Sequence, residues 1–104
     1  MGMALKTAET QRDGMPVIEL SGRLDAMSSD GFQKLLLEKI DEIQGDLVLD
    51  CKDLEFVSSA GLRTFLMAQK NLQSKGFQLK LIRTGEEIMK VLVMTGFDKF
   101  LRIE

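Results

Sequence analysis

The stretch Asp50-Cys51-Lys52-Asp53-Leu54-Glu55-Phe56-Val57-Ser58-Ser59-Ala60-Gly61-Leu62-Arg63 decides how this chain folds. Just before it stands Leu47-Val48-Leu49, a short continuous apolar run typical of a strand covered on both faces. Just after it begin Leu62, Phe65, Leu66 and Leu72, which share one helical face until Gly76 ends the pattern. The stretch therefore leads from a buried strand, through a loop, to a helix N-terminus, which is where α/β sheets concentrate their function. Two adjacent hydroxyls, Ser58 and Ser59, stand at that helix start, followed by the small residues Ala60 and Gly61. One serine suffices as an N-cap, and neither has Glu or Gln three residues on, so no capping box forms. Glycine in a helix costs ~1 kcal/mol relative to alanine, whereas small residues here would let another molecule approach a hydroxyl closely. A plain cap and a hydroxyl on offer to a partner both fit the pattern.

The flanks repeat the same alternation. Residues 3–11 and 15–21 read as a β-hairpin turned at Asp13-Gly14, with Pro16 suited to an edge or a strand start. Gly22-Arg23-Leu24-Asp25 and then Ser28-Ser29 precede a helical stripe of Phe32, Leu35, Leu36, Ile40 and Ile43 that stops near Gly45. Either Asp25 or the serine pair can cap that helix. Further on, Phe77, Leu79 and Leu81 alternate with polar residues as a strand does. Thr84 and Glu87 have capping-box spacing for a third helix bearing Ile88, Val91 and Leu92, closed by Gly96. Phe100-Leu101-Arg102-Ile103 predicts a short last strand. The order ββαβαβαβ predicts one α/β domain over residues 1–104, with a four- to five-stranded mixed sheet, an early hairpin and three to four helices.

Composition excludes several classes of function. With 14 basic and 16 acidic side chains the net charge is −2, which does not suit binding nucleic acid through its phosphates. Histidine is absent, which removes Ser-His and Cys-His catalysis and imidazole-ligated metal. The lone Cys51 can make neither an internal disulfide nor a thiolate zinc site, and is expected to be a buried small residue. The longest apolar runs, 65–68 and 91–94, are four residues, against the roughly 20 of a spanning helix. Met1-Gly2 is followed by Lys6 where N-myristoylation requires Ser or Thr. The expectation is a soluble, cytoplasmic domain that binds or is modified, not an enzyme, with no metal, cofactor or membrane insertion.

The motifs resemble those of the STAS domain family, shared by anti-sigma factor antagonists and sulfate transporter tails. The likeness lies in Asp53-Leu54-x-Phe56-Val57-Ser58-Ser59-Ala60-Gly61-Leu62-Arg63, in Gly22-x-Leu24-Asp25, and in Val91-x-x-x-x-Gly96-Phe97 before a terminal strand. With no membrane region attached, the chain is more similar to the free-standing anti-sigma factor antagonists. In that branch the serine before the small-Gly-Leu tripeptide accepts phosphate, which implies Ser59 here. Many members carry Asp immediately ahead of it; this chain has Ser58, so two hydroxyls are present and motif register favours Ser59. The resemblance further implies that the unphosphorylated form binds an anti-sigma factor serine kinase of the histidine-kinase-like ATPase fold and releases the sigma factor. A metal-dependent serine phosphatase would reverse the mark. Asp25, Ser58, Ala60, Gly61 and Arg63 are the implied partner-binding residues, with the Asp25 loop beside the serine loop. A STAS subunit of a transporter or lipid-trafficking complex, never phosphorylated, is the alternative.

Charge is unevenly spread. Residues 38–55 hold seven acidic and two basic side chains, while residues 60–83 hold Arg63, Lys70, Lys75, Lys80 and Arg83 with no acidic one. A solvated basic helix face accounts for the second block. Arg63, four residues beyond Ser59 and on the same helical face, is also placed to meet an acidic patch on a partner or to fold back on a phosphate. Asp25 at a helix start is either a dipole partner or part of the docking surface. A phosphoaspartate site at Asp50 would need an acidic pair at the end of the first strand, where residues 10–13 offer only Asp13.

Overall fold

β1 (Lys6–Arg12) and β2 (Met15–Leu24) form an antiparallel hairpin in the computed structural model, which describes residues 4–104. Met1, Gly2 and Met3, and with them the acylation-like start and the first residue of the expected opening strand, lie outside the described residues. The hairpin turns at Asp13 and Gly14, with φ of 53° and 80°, the two left-handed residues that a tight two-residue turn requires. Pro16 sits at the start of β2, ahead of Val17 where pairing with β3 begins, so its missing N–H costs that ladder nothing.

Three parallel crossovers follow, through α1 (Ala26–Glu42), β3 (Leu47–Val57), α2 (Ser59–Ser74), β4 (Leu79–Ile82), α3 (Glu86–Thr95) and β5 (Arg102–Ile103). The sheet order is β1-β2-β3-β4-β5, antiparallel only at the hairpin, which is the mixed five-stranded α/β sheet read from the sequence. Ile18, Leu20, Leu47, Leu49, Leu79 and Leu81 from the strands meet Phe32, Leu36, Phe65, Leu72, Ile88 and Leu92 from the helices in one core. Each such side chain contributes about 1.5–3 kcal/mol when fully buried. Phe32 and Phe65 join α1 to α2 edge-to-face, their ring centres 6.3 Å apart. Among the described residues no helix is long and apolar enough to cross a membrane.

Four local expectations are corrected. Residues 50–57 are not a loop: β3 runs on to Val57, because β2 also runs on to Leu24 and the two stay paired across two register shifts. Polar residues in this extension face outward while Leu54 and Val57 remain buried, a spacing that two-residue alternation does not reveal. Gly22, Arg23 and Leu24 are accordingly strand, and only Asp25 turns the chain. Thr84 caps nothing; α3 starts behind Gly85, and the Thr84 hydroxyl is buried in the neighbourhood of the Cys51 thiol, without a hydrogen-bond partner among the described residues. Finally, residues 97–99 form a short 3-10 turn, which leaves only Arg102 and Ile103 to the last strand.

Two ion pairs join the charge blocks, and a third cation of the basic block goes to backbone carbonyls. Lys80 pairs with Asp46 at 3.6 Å and Arg83 with Asp50, while Lys75 donates to the Ile40 and Ile43 carbonyls at the end of α1, at 2.5 and 2.9 Å. Arg63 and Lys70 are exposed, with no ion pair among the described residues.

Candidate functional site

β3 ends at Val57, and the next residue ties two crossovers together: the Ser58 amide donates to the Leu24 carbonyl at 2.9 Å. Leu24 is the last residue of β2, so Asp25 and Ser58 start α1 and α2 side by side. The structure thus brings the Asp25 turn and the serine turn together at the C-terminal edge of the parallel strands, where α/β sheets place their sites.

The two hydroxyls do different things. Ser58 is the N-cap of α2, and its Oγ accepts from the Gly61 amide at 3.2 Å. Ser59 is the first helical residue; its hydroxyl is exposed and has no hydrogen-bond partner among the described residues. Ala60 is half-buried and Arg63 is exposed one turn further along. Thr64, buried, returns its hydroxyl to the Gly61 carbonyl at 2.6 Å.

Gly61 has a reason inside the fold. A Cβ there would lie 2.7 Å from Leu24 Cγ, 2.8 Å from the Leu24 carbonyl oxygen and 2.9 Å from Val57 Cγ2. The absent side chain lets α2 sit directly on the ends of β2 and β3, so its smallness serves this contact. Gly22 is comparable: its φ is 95°, and a Cβ would collide with the Ala4 carbonyl.

Asp25 caps α1, accepting from the Met27 and Ser28 amides at 3.0 and 3.1 Å, while Ser28 Oγ donates back to it at 3.2 Å. The Ser28 amide, the Ser28 hydroxyl, the Met27 amide and Arg23, 3.9 Å away, together hold its carboxyl below the usual range. The Arg23 guanidinium lies 4.1 Å above the ring of Phe56, its cross-strand partner. With Met27, 93% exposed, Arg23 and Phe56 extend the surface around the serine turn. Sequence patterns gave no sign of that stack, because it depends on the register of β2 against β3.

A second polar cluster was also missed. Asp50, 2% exposed, accepts from Arg12 Nη2 at 2.7 Å, from Arg83 through two nitrogens, and from the Lys52 amide. Burial alone would raise its pKa, but Arg83, the Lys52 amide and Arg12 outweigh that and hold it below the usual value. Asp50 therefore bolts β1 and the end of β4 to the middle of β3, and its oxygens are spoken for. Burial pushes the neighbouring Cys51 thiol up to about 12, leaving it inert as expected. No group of three or more potential metal ligands converges among the described residues.

Comparison with known proteins gives a consistent result. The STAS domain family model matches residues 6–104. The chain is 29% identical over 102 residues to a Paenibacillus polymyxa protein named anti-sigma F factor antagonist, covering 97% of this chain and 87% of that one. An anti-sigma factor antagonist of Mycobacterium paratuberculosis superposes with a TM-score of 0.83 at 22% identity, over 95% of this chain and 84% of that one. The anti-sigma factor antagonist SpoIIAA in its unphosphorylated form superposes with a TM-score of 0.77 at 18% identity, over 96% and 87% of the two chains. These likenesses establish the same fold.

Proposed function

This chain belongs to the STAS domain family, and on that premise we propose that it is an anti-sigma factor antagonist switched by phosphorylation of Ser59. Unphosphorylated, it binds an anti-sigma factor serine kinase of the ATPase type through Asp25, Ser58–Gly61 and Arg63, and so frees the sigma factor. Phosphorylated, it lets go; a metal-dependent serine phosphatase restores it. The relative from Paenibacillus polymyxa carries the antagonist name, which supports the reading.

The observation that carries it is the division of labour at the start of α2. Ser58 is committed to its cap, and Ser59, one residue beyond the Ser58–Leu24 link, presents an exposed hydroxyl without a hydrogen-bond partner among the described residues. A phosphate there would add −1.5 to −2 charge at pH ~7, and a helix N-terminus tolerates it through unpaired amides and its dipole. The fold would stay intact while a partner docked on this turn would have to desolvate a dianion. An uncompensated buried charge costs several kcal/mol, and each ~1.4 kcal/mol is tenfold in affinity. The chain is thus a substrate in this reaction, acting in the cytoplasm, with ATP, Mg²⁺ and catalytic groups supplied by the partner.

The test is incubation with candidate anti-sigma factor kinases and ATP, followed by phosphate mapping by mass spectrometry. Phosphate on Ser59, lost along with the switch in Ser59→Ala, supports the reading. A chain that binds such a kinase but is never modified overturns the phosphorylation step.

A further inference from the structure

The last register shift between β2 and β3 decides what Arg23 faces. Gly22 pairs with Leu54 but Arg23 pairs with Phe56, so Glu55 is the extra residue of a bulge. Unbroken pairing would set Arg23 opposite Glu55, an ordinary cross-strand ion pair. The bulge gives it an aromatic ring instead, with the guanidinium 4.1 Å from the ring centre. Asp25 is the one carboxylate within 4 Å of that guanidinium among the described residues, and at 3.9 Å from Nε it is beyond hydrogen-bond length. Asp25 is itself taken up by the cap of α1.

The Arg23 carbonyl accepts from Ser28 Oγ at 2.9 Å, but the Arg23 side chain makes no hydrogen bond among the described residues and is 43% exposed. A stacked guanidinium keeps its direction and its charge, and it presents a planar fork of donors. What completes such a fork is a planar anion that accepts two N–H groups, a carboxylate. In the unmodified chain no phosphate is at hand to take that place. Phe56, 37% exposed, and Met27 extend the same surface, so the fitting group is a carboxylate in an apolar surround. Arginine and aromatic anchors ringed by apolar contacts are what hold protein partners most firmly.

We propose that Arg23, stacked on Phe56, is the anchor for a carboxylate of the anti-sigma factor kinase, within the docking surface around Asp25 and Ser59. The proposal rests on the function proposed above, and adds to it a residue and the chemistry of the group that meets it. A guanidinium fixed in place and covered on docking slows dissociation, whereas a freely exposed charge chiefly speeds encounter.

Surface plasmon resonance of the unmodified full chain against candidate anti-sigma factor kinases reads the outcome. Arg23→Gln should raise the dissociation rate about tenfold or more, at low and at high salt, with the urea midpoint little changed. Phe56→Leu keeps the charge, removes its platform and should raise the rate severalfold. Arg23→Lys carries the charge without the fork and should restore only part of the loss. A kinase that leaves Arg23→Gln at the parental rate overturns the anchor and leaves the proposed function standing, whatever the variant's stability. If that rate is unchanged while phosphorus NMR shows a raised phosphate pKa in the Ser59-phosphorylated variant, Arg23 meets the chain's own phosphate, which equally overturns the anchor. A parent chain that none of the kinases binds overturns the proposed function, and the anchor with it.

Discussion

The Ser58 amide and the Leu24 carbonyl meet at 2.9 Å, and through that one bond the starts of α1 and α2 become a single surface. Asp25 follows Leu24 and Ser59 follows Ser58, so the two residues that matter most to partner binding in the proposed function are positioned by the same link. The hydroxyl nearest the link is consumed by capping, and the one beyond it is exposed, with no hydrogen-bond partner among the described residues.

Ser58→Ala and Ser59→Ala should therefore separate. The first removes the α2 N-cap and should lower stability by ~1 kcal/mol. The second changes an exposed group without a partner and should stay within ~0.5 kcal/mol of the parent. Urea midpoints compare the two. Phosphorylation should show the opposite ranking: Ser58→Ala still accepts phosphate, and Ser59→Ala does not. Equal stability losses would mean that the cap is not held by Ser58.

Gly61→Ala should be worse than its size indicates. One methyl would have to displace Leu24 or Val57, at contacts of 2.7 to 2.9 Å that include a backbone oxygen. Overpacking of this kind costs ~1–3 kcal/mol, and the displacement would open the Asp25–Ser58 junction. Thermal unfolding should show a clear fall in Tm, accompanied by weaker kinase binding. A variant of unchanged Tm would show that α2 can retreat without loss.

How far these features were legible in the chain depended on whether they are local. The element order, the Asp13-Gly14 turn and the stripes through Phe32, Leu36, Leu62 and Phe65 follow from spacing within one segment, and they were readable. The extension of β3 through Cys51 and Leu54 was not, because the register shifts against β2 break the alternation. Thr84 and Glu87 have capping-box spacing, yet the Thr84 hydroxyl is drawn inward, a choice made by the surrounding packing. The motif led to the Asp25–Ser59 turn. The Asp50 cluster assembles residues from β1, from β3 and from just after β4, with 38 and 33 residues separating Asp50 from its two arginines. No local pattern encodes that.

Asp50 gives the fold an acid-sensitive element. Its carboxyl is buried, which on its own would raise the pKa; hydrogen bonds from Arg83, the Lys52 amide and Arg12 more than reverse this. A depressed carboxylate stabilises fully above its unfolded pKa of ~3.9, and the contribution is lost as pH falls through the lower folded value. Parent stability should hold from neutral pH to about pH 4 and drop below it. Asp50→Asn should cost ~1–3 kcal/mol at neutral pH and show less of that acid decline. Denaturation midpoints at neutral and acid pH decide it; parallel curves for the two proteins would remove Asp50 from the account.

Cys51 should report on opening of the core. With its pKa raised to about 12 by burial and by the adjacent Asp50 charge, roughly a thousandfold less thiolate is present at pH ~8 than for a free cysteine. Iodoacetamide should label it only in denaturant or through rare unfolding. Prompt labelling of the native chain would contradict the burial of this strand.

Arg63 is one of two cations, with Lys70, left over when the fold has used Lys75, Lys80 and Arg83. It is exposed, one turn from Ser59 on α2, and has no ion pair among the described residues. Two roles are open to such a group in the proposed function. Against an acidic patch on the kinase it would speed encounter, and the effect would fade with added salt. Against a phosphate on Ser59 it would instead steady the modified form. Arg63→Ala distinguishes them. Loss of the first role slows association with the unmodified chain several-fold at low salt, and the difference shrinks as salt rises. Loss of the second leaves that association alone and raises the phosphate pKa of the modified chain, visible by phosphorus NMR. If neither quantity moves, Arg63 is solvated surface and no part of the site.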